Sequence, residues 1–392
     1  MSKVKYYIGL MSGTSADGVD LALVDFTQGC QNLIIAGSYY QAYTPDIVEK
    51  ITSLYNPHNN EIDRAYSLDV ELAHIFGDAI RALLLQENLT SEDIIAIGNH
   101  GQTIRHRPDF PHSFTVQIGC SQTLAVLTGI KVIGQFRRKD MALGGQGAPL
   151  VPAFHQHIFS EPSQDVFVVN IGGIANITFL PEGNDKQVLG FDTGPGNALL
   201  DDWFKENHLV MAASTDSDHK SYDENGHWAS TGSVNLALLS HLLQDSYFAL
   251  PAPKSTGREY FTLNWLFAQL TDFSIKQNQA LKPNDVQATL VALTAHSIAN
   301  EIIKLSAQGN IYLCGGGIHN RALMQQLKQA LIVQGGLAYE LLSTQERNID
   351  GDVLEATAFA WLAYAYEHKL ISSISAVTGA RVACTLGVAF YP

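Results

Sequence analysis

Two short turns built from glycine and other small residues, each set between apolar strand-like runs, constrain this chain more than any other feature. The first is Ser12-Gly13-Thr14-Ser15-Ala16-Asp17-Gly18, between runs at 4–9 and 20–26. The second is Asn170-Ile171-Gly172-Gly173-Ile174-Ala175-Asn176, between runs at 166–171 and 176–180. They lie roughly 160 residues apart, a separation typical of two domains. Elsewhere, strand-like runs alternate with amphipathic helical runs, so an α/β architecture with a repeated hairpin is expected. Helices are expected over about 61–87, with Leu68, Leu72, Ile75 and Ala79 on one face, and over 197–207, 263–272, 284–308 and 353–367. Further strands are expected at 94–98, 114–118, 311–314 and 386–390. The segment 213–232, with Asp216, Asp218, Asp223 and Glu224, reads as an exposed loop, and 251–258 as a second irregular stretch, with substrate holding the alternative there.

A chain of 392 residues that is 46% hydrophobic has material for two cores. Its 38 acidic and 24 basic residues give a formal net charge of −14, a surface that repels nucleic acid and anionic lipid. The apolar run Tyr6 to Leu10 is shorter than the apolar region of a signal peptide, and no stretch of about 18 apolar residues suggests a membrane span. Cys30, Cys120, Cys314 and Cys384 are scattered without a CxxC pair, so reduced thiols of a cytoplasmic protein are expected. There is no HExxH, and His155 and His157, two apart on one helical stretch, point to different faces.

The first turn suits a phosphate: small residues let backbone N–H groups approach an anion and two hydroxyls can donate. Asp17 would be misplaced against bare phosphate but well placed to hold Mg²⁺ through water. No GxxxxGK[ST] and no strand-linked GxGxxG occurs, so phosphate binding falls to hairpins, not to a helix N-terminus. Gly315-Gly316-Gly317 ends an apolar strand and opens a helix, where missing Cβ atoms allow flat contact with a base or ribose. In Gly190 to Asn197, Asp192 sits at a tight junction that can hold a general base rigidly; a helix cap is the alternative reading. Asn99-His100-Gly101-Gln102-Thr103 offers donors and acceptors for sugar hydroxyls, or a satisfied surface histidine. Arg137-Arg138-Lys139-Asp140 is the one dense basic cluster, either an anion clamp or a solvated turn. The glycines of Leu143-Gly144-Gly145-Gln146-Gly147 suggest a hinge beside it.

Taken together, these motifs resemble the anhydro-N-acetylmuramic acid kinases of bacterial cell-wall recycling. The resemblance runs through Met11-Ser12-Gly13-Thr14-Ser15 with Asp17-Gly18 and Asp20, then His100-Gly101-Gln102-Thr103 and Gly144-Gly145-Gln146-Gly147-Ala148-Pro149-Leu150. It continues through Asn170-Ile171-Gly172-Gly173, Phe191-Asp192-Thr193-Gly194-Pro195-Gly196-Asn197, Gly315-Gly316-Gly317 with Asn320, and Glu355-Ala356 ahead of Phe359-Ala360-Trp361-Leu362-Ala363. It implies an actin-like and hexokinase-like fold of two ribonuclease H-like domains about a nucleotide cleft. Residues 1–136 with about 370–392 would form the first domain and 137–369 the second.

The activity implied is ATP-dependent opening of the 1,6-anhydro ring by water with phosphorylation of O6, giving N-acetylmuramic acid 6-phosphate and ADP. By resemblance Asp192 is the catalytic base, and His100, Gln102, Thr103, Arg137 and Glu355 meet the sugar, with Arg137 and Arg138 not distinguished. Gly13, Thr14, Ser15, Ala16, Asp17, Gly18, Val19 and Asp20 form the first phosphate loop, Gly172, Gly173 and Asn176 the second. Gly315, Gly316, Gly317 and Asn320 form the adenosine site. ATP and Mg²⁺, a cytoplasmic location and a homodimer complete the expectation. Competing readings are an ordinary hexose or amino-sugar kinase on the same scaffold, and an actin-like ATP-switched assembly protein that turns over ATP without a sugar.

Overall fold

A computed structural model describes residues 4–13, 15–183, 186–208, 221–257, 260–277 and 281–392. The chain divides into two compact units: residues up to Ile158 together with Arg347–Pro392, and Phe159–Glu346. It passes between them at 158/159 and 346/347, whereas the sequence reading drew the crossovers at 136/137 and near 370. Residues 137–158 and 347–369 pack with the first unit for reasons visible in their contacts. The Asp140 carboxylate, fully buried, accepts from the Gly147 amide at 2.8 Å and from the Thr378 hydroxyl at 2.7 Å. The Gln146 amide donates to the Thr378 carbonyl at 2.8 Å. The glycine loop 143–147, expected as a hinge, is therefore tied down inside one unit at several points.

In the first unit the sheet is built from β1 (Tyr6–Ser12), β2 (Gly18–Asp25), β3 (Ile34–Ala42), β4 (Ile94–Arg107), β5 (Phe114–Ile118), β6 (Val132–Gly134) and, from the chain's end, β12 (Val388–Phe390). Its order is β12-β6-β4-β1-β2-β3, with β5 pairing β4. β1, β2 and β3 form an antiparallel meander, and β4 lies parallel to β1 and to β6. In the second unit β7 (Val166–Ile171), β8 (Ile174–Leu180), β9 (Leu189–Pro195), β10 (Gly309–Cys314) and β11 (Tyr339–Ser343) take the order β11-β10-β7-β8-β9. Again the first three strands are an antiparallel meander, the fourth is parallel to the first, and the fifth to the fourth. One topology thus appears twice, the duplicated α/β fold expected from the sequence.

Both central first strands, β1 and β7, are nearly continuous buried runs, as strands covered on two faces require. Against β1 and β4 lies the helix Leu354–Glu367. A Cβ on Gly9 would fall 1.7 Å from the Ala356 carbonyl oxygen, and one on Gly98 would fall 1.9 Å from that of Phe359. Those two glycines let helix backbone rest directly on sheet backbone. The helix Glu61–Gln86 covers the sheet with Leu68, Leu72, Phe76, Ala79, Ile80 and Leu83. In the second unit the core gathers β7 and β8 with the helix Pro283–Leu305, which is buried along most of its length. Residues 221–232 are not a bare loop. Asp223 is buried and accepts from the Trp228 and Ala229 amides at 2.8 and 2.9 Å, and the turn at Gly226 packs against Asn320. The rest of the polar stretch, 213–220, lies outside the described residues. Among the described residues no helix is long and apolar enough to cross a membrane.

Candidate active site

In the first unit, β1 and β2 deliver the small-residue turn. Thr14 lies outside the described residues. The Ala16 amide closes the turn on the Gly13 carbonyl at 3.2 Å, with Ala16 at φ +54. Ser15 donates to Asp17 Oδ1 at 2.9 Å. The Asp17 carbonyl accepts from the Tyr43 amide at 2.9 Å and the Tyr40 hydroxyl at 3.1 Å, leaving its carboxylate exposed. Gly18 is buried, and the Ala16 and Val19 side chains sit wholly in the core. Those two residues are closed to solvent, and among the described residues of the turn Ser15 and Asp17 are the exposed positions.

Gln102, expected at the sugar, instead belongs to this turn. Parallel pairing of β4 with β1 sets it opposite Ser12, and both are almost completely buried. Its Nε2 donates to the Gly13 carbonyl at 3.0 Å, so Oε1 must face Ser12, whose hydroxyl donates to it at 2.6 Å. Ser12 Oγ lies 2.7 Å from the Tyr43 hydroxyl, a phenol that burial holds well above its usual pKa and so keeps as a donor. Thr103 is half-buried, its hydroxyl accepting from Gln117 Nε2 at 3.1 Å.

Beside the turn stands a charged group drawn from distant parts of the sequence. Arg137 Nη2 and Nε lie 2.9 and 3.3 Å from His100 Nε2, and Nη1 donates to the Gly147 carbonyl at 2.9 Å. A guanidinium has only donors, so His100 Nε2 accepts and the imidazole proton rests on Nδ1. Burial, then Arg137, push the His100 pKa down to about 3. With its Nε2 lone pair facing Arg137, the neutral imidazole has the Nδ1–H left to donate. Arg137 faces His100, while Arg138 is exposed, which distinguishes the two arginines geometrically. Burial lowers the Arg137 pKa to about 10, opposed by Glu355 and Asp140. Burial raises that of Glu355, opposed by Arg137. Asp20 is pushed up to about 7 by burial, and then by Asp17, Glu355 and Asp352. A carboxyl held up partly by neighbouring carboxylates is one that a cation would stabilise as the anion. Among the described residues no three His, Cys, Asp or Glu form a direct ligand cage. His106, missed in the sequence, is also here: burial, then Arg137 and Arg107, lower its pKa to about 4.

The second unit carries the other group. Gly172-Gly173 joins β7 to β8 in a two-residue turn. The Gly172 carbonyl accepts from the Asn197 amide at 2.8 Å, and the Gly173 carbonyl from the Gly196 amide at 3.0 Å. The start of the helix Asn197–His208 is thereby docked on the turn. Asn170, Asn176 and Asp192 pair in one rung across β7, β8 and β9, bringing the second turn and the candidate base together. Asp192 is not a cap of that helix: its amide donates to the Lys254 carbonyl at 2.9 Å, and its Oδ2 accepts from the Thr256 amide at 3.0 Å. At the end of β10, a Cβ on Gly315 would meet Asn170 Oδ1 at 2.2 Å, and one on Gly317 would meet Ile171 Cγ2 at 2.3 Å. Packing thus demands two of the three glycines. Gly316 alone is exposed, with nothing nearer than 3.9 Å to its absent Cβ, and is the one open to a flat ligand. Asn320 caps the helix Arg321–Gly335, its Oδ1 accepting from the Leu323 amide at 3.1 Å.

A family model described as anhydro-N-acetylmuramic acid kinase matches residues 5–392. A relative from Colwellia psychrerythraea bearing that name is 60% identical over 394 residues, covering 99% of this chain and 98% of that one. One of the same name from Shewanella denitrificans is 49% identical over 387 residues, with 99% and 98% covered. Among solved structures, the activator of the 2-hydroxyisocaproyl-CoA dehydratase from Clostridium difficile with bound ADPNP is 12% identical at a TM-score of 0.44, covering 93% of this chain and 95% of that one, a distant likeness on which no assignment rests. Matched by the family model almost end to end, and this similar to named relatives over its whole length, the chain belongs to the anhydro-N-acetylmuramic acid kinase family.

Proposed function

We propose that the chain catalyses the reaction for which its family is named, the ATP-dependent phosphorylation of anhydro-N-acetylmuramic acid. The 1,6-anhydro bridge is opened by water at C1, and the freed O6 takes the γ-phosphoryl group, giving N-acetylmuramic acid 6-phosphate and ADP. The observation that carries this reading is the family match across residues 5–392.

The residues divide the work according to their chemistry. Asp192 accepts a proton from the attacking water, a step that typically contributes about 10²–10⁴-fold. Its backbone and carboxylate are both hydrogen-bonded, so the base is oriented before substrate arrives. Arg137, held by His100 and the Gly147 carbonyl, supplies a fixed positive charge suited to the carboxylate of the muramic lactyl group. Glu355 accepts from sugar hydroxyls. The accessible backbone of the first turn, at Gly13, Ser15 and Asp17, and that of Gly172–Gly173 donate to the phosphates. Asp17 would hold Mg²⁺ through water, and the metal would supply positive charge to offset that on the transferring phosphoryl group. A homodimer in the cytoplasm belongs to the same reading.

Mass spectrometry of the product from anhydro-N-acetylmuramic acid, ATP and Mg²⁺ tests the reaction. In ¹⁸O-labelled water, sampled early against an exchange control, label is expected on the anomeric hydroxyl and not in the phosphate ester bridge. Label in the ester bridge would overturn attack at C1. ADP release independent of any sugar would overturn the kinase reading.

A further inference from the structure

Beside its pairing with Asn176, Asp192 makes three hydrogen bonds with a segment outside its own sheet. Its backbone amide donates to the Lys254 carbonyl at 2.9 Å, and its backbone carbonyl accepts from the Tyr247 hydroxyl at 2.7 Å. Its Oδ2 accepts from the Thr256 amide at 3.0 Å. All three bonds come from residues 247–256. β9 is an edge strand of its sheet, and this segment bridges that edge at Asp192.

Something must fix the segment, because an irregular stretch of chain does not by itself keep a backbone amide aimed at a carboxylate. Lys254 turns its side chain inward, where only 3% of it is accessible, and donates to Glu301 Oε1 at 2.9 Å. Glu301, on the helix Pro283–Leu305, is buried as well and also pairs with the exposed Lys304 at 2.9 Å. Lys254 Nζ stands 4.9 Å over the Tyr247 ring and 3.4 Å from the Tyr247 carbonyl. The ring in turn packs edge-on against Phe248 and Phe261. One buried ammonium therefore joins the core helix to both residues that grip the Asp192 backbone. A buried ion pair is a weak source of stability but a strong source of register, since neither charge tolerates losing its partner.

We propose that residues 247–256 form the positioning element for Asp192, and that the buried Lys254–Glu301 pair locks that element in register. Lys254, Glu301 and Tyr247 act through Asp192 and are positioning residues. The proposal rests on Asp192 being the base. Among the described residues, Tyr247, Lys254 and, behind them, Glu301 with Lys304 are charged or titratable groups on this side of Asp192.

The test compares Tyr247→Phe, Lys254→Met, the double variant Lys254→Met/Glu301→Leu, and Asp192→Asn in the full-length protein. kcat, both KM values and the pH dependence of kcat/KM are read for each. Tyr247→Phe deletes only the hydroxyl, and the double variant leaves no lone buried charge, so both keep the test alive where Lys254→Met alone unfolds. The variants at 247 and 254 are expected to lower kcat about 10-fold or more, with both KM values within about twofold. Losing the Thr256 donor raises the pKa of a carboxylate, so the acid limb of the profile is expected to move to higher pH in the variants that lack Lys254. Folded variants with native kcat and an unmoved acid limb would overturn the proposal alone, provided Asp192→Asn is inactive. Near-native turnover by Asp192→Asn would overturn the base assignment and this proposal with it.

Discussion

At the scale of single residues, burial and strand register decide which atoms of the candidate residues are accessible. His100, Arg137 and Glu355, far apart in the sequence, stand in one cluster with Asp20. Gln102 came from the same motif as His100, yet it faces inward. The reason is register: β4 pairs with β1 so that Gln102 falls opposite Ser12, and no local pattern reveals a partner 90 positions away. Gln102→Met is therefore expected to raise KM for ATP several-fold through a loosened first turn, with KM for sugar changed little; the opposite split would return Gln102 to the sugar. Arg137→Ala is expected to do the reverse. Asp20 offers a test by pH. Its folded pKa of about 7 lies above the usual carboxylate value of about 4, so the unfolded state ionises first as pH rises. Stability is lost between about pH 4 and 7, and the penalty is complete above that. Asp20→Asn should thus add ~1–3 kcal/mol of stability at pH 8, seen as a higher melting temperature, and gain little at pH 4. Equal gains at both values would assign the effect to something other than ionisation.

At the scale of elements, periodicity located most strands and helices closely. The helix expected over 61–87 spans Glu61–Gln86, and that over 353–367 spans Leu354–Glu367. Hidden in the sequence was how closely elements approach. Gly9 and Gly98 look like ordinary strand glycines, but they admit the helix backbone of Ala356, Phe359 and Ala360. That contact sets Glu355, in the first turn of the helix, beside Arg137 and Asp20. Gly98→Ala puts a methyl into a carbonyl oxygen and is expected to cost about 3 kcal/mol or more, since overpacking a rigid backbone contact has no flexible side chain to yield. Denaturant unfolding measures it, and a loss under about 1 kcal/mol would show that the helix can shift. The run 213–232 was read as loop because its acids are dense. One of them, Asp223, is a buried acceptor for two amides, and density of charge does not distinguish a solvated acid from a turn-forming one.

At the scale of the molecule, the duplication is in connectivity rather than in side chains. Both sheets repeat a meander followed by parallel strands, while only the two glycine turns hinted at it in the sequence. The residues 159–346 form one uninterrupted stretch with its own core, so this piece expressed alone is expected to fold and melt cooperatively. A broad, featureless melt would show that its core needs flanking chain.

The first unit, by contrast, is split, and that has a consequence for how the protein is made. A ribosome releases β1, β2 and β4 long before it reaches the helix Leu354–Glu367 that covers Gly9 and Gly98, or the strand β12 that closes the sheet. The whole of the second unit emerges in between. Chains form domain by domain as they appear, so the part begun first is completed last. A chain terminated at residue 346 would carry a finished second unit and a first sheet still waiting for its lid, with an apolar face open to other chains.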